Sequence, residues 1–559
     1  KKGRPKWMLI GTFGLFIFGI VFMVMRKPDV VFFPSGQPNF IYAYIKLPVG
    51  TDVAYTDSIT KVVEQKVYSV IGQNNPIVDA VISNVAVGAG DPMEGGGLIE
   101  PNKGKVTVAF KEYKYRNGQS TQELLDKIRE QLQGMVGVEI AVDKEQNGPP
   151  TGKPINIEVS GDNFTELIRT SDDLKHYLDS LKVPGVEGLK SSVDVTNPEI
   201  RLDVDPEKVQ RYGLSVAQVG MEIRNAVYGK EVSKYKHLED EFPIMIRYAP
   251  DQRRDIDGLM NLIITFRDMN TGQIKQVPLS SVAKANYETS VGSITRINMK
   301  RVITLSSNVL TGYTPTAVNQ VLGDIISHYN MPDGIEVKQT GESEDQAETS
   351  NFLGTAMMVS LGLILLILVT QFNSISKPII ILTEIVFSVI GVFLGIAIFK
   401  MSFVIVMTGM GIVGLAGIVV KNGILLVEFT DELKKRGYKT RQAIIEAGKI
   451  RMIPVLLTAS ATILGLVPLA VGFNINFQTL FTELNPHIYL GGDNVVFWGP
   501  LSWTIIFGLG FATFLTLILV PSMYFISYTC KIWWKRKTKK WFGWNFNTDS
   551  SVEDDISAL

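Results

Sequence analysis

The chain of 559 residues is 46% hydrophobic yet 20% charged, with 55 basic residues against 55 acidic ones. That balance gives no electrostatic footprint for nucleic acid, and a mean hydropathy of +0.16 describes a mosaic of membrane and aqueous parts. The single cysteine, Cys530, cannot form an internal disulfide, and His176, His237, His328 and His487 lie too far apart for a ligand pattern, so no metal and no cofactor is expected.

The opening Lys1-Lys2-Gly3-Arg4-Pro5-Lys6 precedes an apolar run, Trp7–Met25. The run is too long for a signal-peptide core and no small-residue cleavage site follows it, so it reads as an uncleaved spanning helix. The chain starts on Lys1 rather than methionine, and we read it as a piece of a longer polypeptide.

The next apolar run comes only at Phe352, and the region between is soluble and mixed α/β. Phe40–Ile45 alternates as a strand, followed by an amphipathic helix, Asp52–Val70, capped by Thr51 or Asp52. Lys105–Phe110 is a second strand, Ser120–Leu132 a helix with a Ser120/Glu123 capping box, and Glu139–Val142 a third strand. Strand Ile155–Ser160 and helix Phe164–Leu181 begin a second unit, which resumes with Ile303–Asn308, helix Pro315–Tyr329 and Gly334–Lys338. The strand–helix–strand repeat predicts small ferredoxin-like α+β modules. Pro198 to Gly292 differs in character and reads as an insertion into the second module. The glycine-rich loop from Val85 to Gly97, with Gly88, Gly90, Met93 and Gly96, is not a phosphate loop: no Lys-Ser/Thr follows, and it enters a strand. It is either a surface linker or a mobile element lining a substrate path.

Five more runs long enough to cross a bilayer follow: Phe352–Thr370, Pro378–Phe399, Phe403–Phe429, Met452–Val471 and Phe497–Ile526. With six alternating spans, Lys1–Lys6, Lys377, the stretch Lys434–Arg451 and Lys531–Lys540 all fall on one side. The positive-inside rule makes that side cytoplasmic, with both termini inside and the large region outside.

Lys421 lies inside the fourth run, ~12 Å along the helix from Phe429 at 1.5 Å per residue, too deep for comfortable snorkelling. Gly411, Gly414 and Gly417 recur three apart beside it, a spacing that admits another helix closely. Glu384 is the one carboxylate inside another span, at a compatible depth. It either pairs with Lys421, faces the headgroups, or stays protonated. Thr458 either bonds its own backbone or joins Arg451, Lys421 and Asn422 in a polar path leading inward. No serine–histidine–carboxylate set and no nucleotide-binding loop is visible, which points to an ion gradient rather than ATP as the energy source.

Gly411-Ile412-Val413-Gly414-Leu415-Ala416-Gly417-Ile418-Val419-Val420-Lys421-Asn422-Gly423-Ile424-Leu425-Leu426-Val427-Glu428-Phe429 resembles the tenth helix of the resistance–nodulation–division (RND) transporters, in their hydrophobe/amphiphile efflux branch. Arg451-Met452-Ile453-Pro454-Val455-Leu456-Leu457-Thr458 resembles the start of the eleventh, continued by Leu464-Gly465-Leu466-Val467-Pro468-Leu469. The likeness covers nearly the whole chain, as the second half of such a protein.

The resemblance implies a membrane α-helical bundle of six spans, one plus five, with a large α+β periplasmic region of ferredoxin-like porter modules and a docking subdomain. The domains would be 1–26 (first span), 37–147 (porter), 154–195 with 293–342 (second porter), 198–292 (docking), 352–527 (five spans) and 528–559 (cytoplasmic tail). It implies proton antiport that exports amphiphilic compounds from the periplasm or outer leaflet of a bacterial inner membrane, with no enzyme activity. Lys421, Asn422, Thr458 and Arg451 would form the proton relay, the lysine pairing with two aspartates in the other half. Gly88, Gly90, Met93 and Gly96 would belong to a switch loop on the substrate path. The implied partners are the N-terminal half, two further copies in a homotrimer, a periplasmic adaptor, an outer-membrane channel and membrane lipids. Glu384 departs from familiar drug exporters, which carry an apolar residue there. The long connection Asn474–Val496 resembles versions from Bacteroidetes-type bacteria. Export of metal ions or lipids on the same scaffold, and a non-transporting assembly role, are the alternatives.

Overall fold

A computed structural model describes residues 4–542 except 35, 92–98, 117, 146–151, 194–196, 268–271 and 291–293. It falls into two compact units, the smaller being Val193–Ile294.

The larger unit opens with helix α1 (Arg4–Arg26) and the short strand β1 (Val30–Val31). A first α/β module follows: β2 (Phe40–Lys46), α2 (Val53–Ile71), β3 (Val78–Val85), β4 (Lys103–Phe110), α3 (Thr121–Leu132) and β5 (Glu139–Lys144). Its strands pair antiparallel in the order β3-β4-β2-β5. Alternation in β2 turns Ile41, Ala43 and Ile45 to the core, where they meet Val63, Val67 and Ile71 of α2 and Leu125, Ile128 and Leu132 of α3. The helical residues recur at three- and four-residue spacing, the stripe that lets one helix face cover a sheet. Asp52 caps α2 by accepting from the Ala54 amide at 2.8 Å, and Ser120 caps α3 by accepting from the Glu123 amide at 3.4 Å. Gly104 admits α2 to the sheet, since a Cβ there would stand 2.3 Å from the Thr60 hydroxyl.

The second module begins with β6 (Ile155–Gly161), α4 (Phe164–Ser180) and the short β7 (Lys190–Ser191) before the chain enters the smaller unit. There β8 (Asn197–Val204), α5 (Pro206–Tyr212), α6 (Val216–Val227), β9 (Lys230–His237), β10 (Asp240–Ile246), α7 (Pro250–Arg254), α8 (Ile256–Met260), β11 (Ile263–Arg267), β12 (Ile274–Pro278) and β13 (Ala283–Ser290) follow in turn. Strands β8 and β13 pair along their full length, so entry and exit lie side by side. Val209, Leu214, Val219, Ile264, Val277 and Leu279 make this unit's own core. The β9–β10 hairpin is exposed on both faces.

Back in the larger unit, β14 (Thr295–Ile297), β15 (Lys300–Ser307), α9 (Pro315–Ser327) and β16 (Ile335–Gln339) complete the second module, with strand order β14-β15-β6-β16 and β7 beside β15. Its element order and the pairing of β15, β6 and β16 repeat the first module's arrangement.

The remaining elements are α10 (Glu342–Phe372), α11 (Ser376–Phe399), β17 (Phe403–Val404), α12 (Ile405–Lys435), α13 (Thr440–Val471), β18 (Phe473–Asn474), α14 (Phe477–Glu483), β19 (Tyr489–Leu490) and α15 (Asp493–Phe542). Among the described residues, six helices are long and apolar enough to cross a membrane: α1, α10, α11, α12, α13 and α15. Helices α11, α12 and α15 form the packed centre, and α1, α10 and α13 leave most of their apolar surface unburied. Glycines set the central crossings: Gly395 lies against the Phe507 ring, which a Cβ would approach to 2.2 Å, and Gly391 faces Phe511 and the Phe507 carbonyl. Gly508 of α15 faces Leu415 of α12, and Gly411 of α12 faces Thr504. Small residues let backbones approach where apolar burial alone gives helices no preference for one another over lipid.

Two readings of the sequence need correction. The run expected to be helical from Phe403 starts at Ile405, because Phe403 and Val404 pair with Val30 and Val31 as a parallel strand. Strands β3, β9 and β13 were not expected; their side chains lack the clean inward–outward alternation that marks β2. The long connection after α13 carries helix α14 and the β18–β19 pair.

Candidate functional site

Helix α12 carries two different faces at the depth of Lys421. Gly423 is buried and faces α11, where its missing Cβ makes room for Glu384: a Cβ there would stand 2.5 Å from Oε2. Lys421 is two residues earlier, about 200° around the helix, and it is exposed. Pairing with Glu384 is therefore geometrically closed to it, and Lys421 makes no ion pair among the described residues. Gly414, Gly417, Lys421 and Glu428 form one exposed stripe, and neither Gly414 nor Gly417 has a neighbouring atom within 4 Å of where a Cβ would stand.

Glu384 is fully buried at 0% exposure, and neither carboxyl oxygen has a hydrogen-bond partner. Asn422 is buried at 5% exposure beside Gly423. Arg451 sets its guanidinium 4.6 Å over the Phe429 ring of α12, with Nε buried and unpartnered. Thr458 donates to its own helix, to the Val455 carbonyl at 3.1 Å. Helices α12 and α13 are joined by a short turn and run antiparallel. Lys421 lies ~12 Å from the Phe429 level and Thr458 ~10 Å from the Arg451 level, so the two share a depth. No hydrogen bond links Lys421, Asn422, Thr458 and Arg451 to one another among the described residues.

One cluster just beyond Phe429, near the end of α12, escaped the sequence reading. Asp431 near the end of α12 accepts from Tyr524 Oη of α15 at 2.6 Å and pairs with Lys377 Nζ at the start of α11, also at 2.6 Å. Lys434 stands over the Tyr528 ring at 4.9 Å. The end of α12 and the start of α11 are thereby fastened to each other and to α15. The signal was an aspartate among basic residues at a helix end, which reads as ordinary surface charge.

Of the glycine-rich loop, Gly88 and Gly90 are described; Met93 and Gly96 lie outside the described residues. Gly88 takes a positive φ of 66°, which favours glycine. The neighbouring Asp91 pairs with Lys153 at 3.3 Å, tying the loop to the lead-in of the second module. Arg129 of α3 reaches Glu187 at 3.3 Å and Glu139 reaches Lys190 at 3.2 Å, so ion pairs bridge the two modules. Amid them the Asp143 carboxyl is pushed up to about 6, by burial first and by Glu187 and Asp91, against the pull of Lys153.

Residues 4–475 match the AcrB/AcrD/AcrF family. The swarming motility protein SwrC of Bacillus subtilis is 29% identical over 367 residues, covering 66% of this chain and 32% of that protein. The cobalt-zinc-cadmium resistance protein CzcA of Cupriavidus metallidurans is 25% identical over 66% of this chain and 33% of its own length. The multidrug resistance protein MdtC of Photorhabdus laumondii is 24% identical over 80% of this chain and 40% of its own. A crystal structure of a heavy metal efflux pump superposes with a TM-score of 0.71 at 21% identity, covering 94% of this chain and 52% of that one. The chain thus spans about half the length of the solved protein, and less of the curated relatives it matches. With most of its length inside the match, this chain belongs to the AcrB/AcrD/AcrF family of RND efflux permeases.

Proposed function

We propose that this chain is the C-terminal half of a proton-driven RND exporter of amphiphilic compounds, working from the periplasm or outer leaflet of a bacterial inner membrane. The observation that carries the reading is Lys421: an ammonium in the middle of a membrane-length helix, on an exposed stripe with Gly414 and Gly417, without a described counter-charge. A charge at that depth is costly unless something faces it. The glycines leave room for a helix to bring carboxylates to it, and we assign those to the N-terminal half. Asn422, Thr458 and Arg451 complete the relay in this reading; shared depth supports Thr458, and Arg451 sits nearer the cytoplasmic end. Both termini are cytoplasmic by the basic residues of the short connections.

The two α/β modules are then ferredoxin-like porter subdomains, with the Gly88–Gly90 segment at their junction as the near end of a switch loop. The inserted unit is a docking subdomain. Its doubly exposed β9–β10 hairpin, with Tyr235, Phe242 and Ile244 outward, suits contact with the next copy in a homotrimer. A periplasmic adaptor and an outer-membrane channel are the further partners. Metal-ion export is the second reading, favoured by the likeness to CzcA and to the heavy metal efflux pump.

The test is transport by the assembled protein in vesicles carrying an imposed proton gradient, assayed with a cationic dye and with Zn²⁺ and Co²⁺. Gradient-dependent dye export that Lys421→Ala abolishes, with trimer assembly intact, is expected. Full export by that variant would sink the coupling, and metal transport without dye transport would replace the substrate class.

A further inference from the structure

Where the loop after α13 meets the first module, the protein forms a half-open cavity of about 230 Å³ lined by Gln37, Tyr113, Lys114, Arg116, Gln119 and Leu490, among others. Arg116 is 1% exposed, one of the largest fully buried side chains in the chain. Its Nε donates to the Lys111 carbonyl at 2.7 Å and its Nη2 to Asn39 Oδ1, but Nη1 has no protein partner. Nor does Arg116 form an ion pair among the described residues; Asp493, the acid whose field reaches it, is held by Asn39 at 3.2 Å instead. Gln37 Oε1 is likewise buried without a partner, and the Gln37 amide can present either end to the cavity. Lys114 lines the same wall, paired with Glu112 at 2.7 Å.

A buried guanidinium with a free donor arm and no direct ion pair, compensated only through the field of Asp493, is expensive, and an oxygen anion on the free arm is its ordinary resolution. Position decides the source of that anion. The cavity wall carries Tyr489 and Leu490 of β19, which ends three residues before α15 begins at Asp493 and pairs with β18, directly after α13. Gly491 packs on Tyr113, where a Cβ would stand 2.8 Å from the phenol oxygen, so the loop is seated on the module at this spot. Two membrane-length helices thus end at the cavity, at the level where headgroups lie, and Leu490 is 63% exposed beside it. Tyrosine and leucine next to a buried guanidinium with a free arm suit an acyl chain leaving a headgroup.

We propose that this cavity binds the phosphate or carboxylate headgroup of an anionic amphiphile, with Arg116 Nη1 and the Gln37 amide as donors and Leu490 along the chain. The proposal rests on reading α13 and α15 as membrane spans; it does not depend on proton coupling at Lys421.

The test uses the purified full-length protein in neutral detergent, titrated with dodecyl phosphate, inorganic phosphate and the uncharged dodecanol. Dodecyl phosphate is expected to bind at least tenfold tighter than either of the others. Gln37→Glu, which sets a carboxylate beside Arg116, should weaken that binding at least tenfold while the melting temperature of the unliganded protein holds or rises. Lys421→Ala should bind dodecyl phosphate like the parent, which separates this site from the coupling reading. Equal affinity for inorganic and dodecyl phosphate would overturn the amphiphile in favour of a free anion. Equal affinity for dodecanol, or full binding by Gln37→Glu, would overturn the site.

Discussion

Glu384 gives the sharpest energetic prediction. Its carboxyl is fully buried between α11 and the Gly423 notch of α12, and both oxygens lack partners. An unsatisfied buried polar group costs about 1–3 kcal/mol, and replacing it with an apolar group of similar shape recovers that cost. Inside a membrane the recovery is smaller where the separated helices also find polar partners, with measured polar contacts averaging about 0.6 kcal/mol. Glu384→Met keeps the length of the side chain and removes both acceptors, so it is expected to stabilise the fold by about 1–2 kcal/mol. Glu384→Gln, which keeps polar atoms in the notch, should show little or no gain. Thermal unfolding of the purified protein in detergent, followed by intrinsic fluorescence, would read the difference as a rise in melting temperature for Met over Gln. A loss of stability in the Met variant would refute the reasoning, because it would mean that the carboxyl holds a partner. Export by the stabilised variant then decides what the carboxyl does. Loss of export without loss of stability would assign Glu384 to transport rather than to packing.

Three further perturbations test the packing and electrostatics. Asp143 titrates at about 6 in the fold against an ordinary 3.8, so the folded protein holds that proton more tightly than the unfolded chain does. Its ionised form costs stability above pH about 6, and the cost fades as pH falls toward 3.8. Asp143→Asn should therefore raise the melting temperature at pH 7.5, by up to about 3 kcal/mol of stability, with the advantage shrinking toward pH 4; an advantage that grows on acidification would contradict this. Gly391→Val brings a side chain to within 2.4 Å of Phe511 Cβ and 2.5 Å of the Phe507 carbonyl, where backbone cannot yield cheaply. The expected loss is about 1–3 kcal/mol or more, read as a lowered melting temperature, whereas Gly414→Val in open surroundings should leave the isolated chain unchanged. Asp431→Asn breaks the tie among α11, α12 and α15; a double-mutant cycle with Tyr524→Phe should return a coupling of about 0.5–2 kcal/mol, and zero coupling would show the bond to be idle.

The α/β modules were legible where one face of an element is buried and the other is not. Ile41, Ala43 and Ile45 alternate with Tyr42 and Tyr44, and Val63, Val67 and Ile71 recur every four residues, so period alone identified β2 and α2. The β9–β10 hairpin has no buried face at all, and a strand without an inside has no alternation to read. Strand β3 pairs with β4 on one side only, with a register shift between Val78 and Ala80, and its outward Ile82 breaks the pattern. The helices ran longer than their apolar stretches for a related reason. Glu342–Ser350 and Thr440–Lys449 continue α10 and α13 as polar turns beyond the hydrophobic length, where composition gives no signal.

Depth along a helix is a one-dimensional quantity and could be counted from the sequence; direction around the helix could not be assigned without a neighbour. Counting placed Lys421 and Glu384 at compatible depths, which left a pair between them open. Packing closes it, because α12 turns Gly423 rather than Lys421 toward Glu384. The consequence reaches beyond one contact. Two ionisable groups now stand on opposite sides of a single helix, one sealed in the bundle and one on its open stripe. A carboxylate that answers Lys421 approaches over Gly414 and Gly417, while Glu384 is enclosed by α11 and α12, so the two groups share no partner. Under the proposed coupling, a change around Lys421 would reach the Glu384 contact through rotation or displacement of α12 itself. Gly423→Ala tests that step directly: its methyl group would press on Glu384 and shift α12 against α11, altering export while leaving Lys421 chemically intact. Unaltered export by that variant, with α12 shown by cross-linking to have moved, would leave the two sites independent.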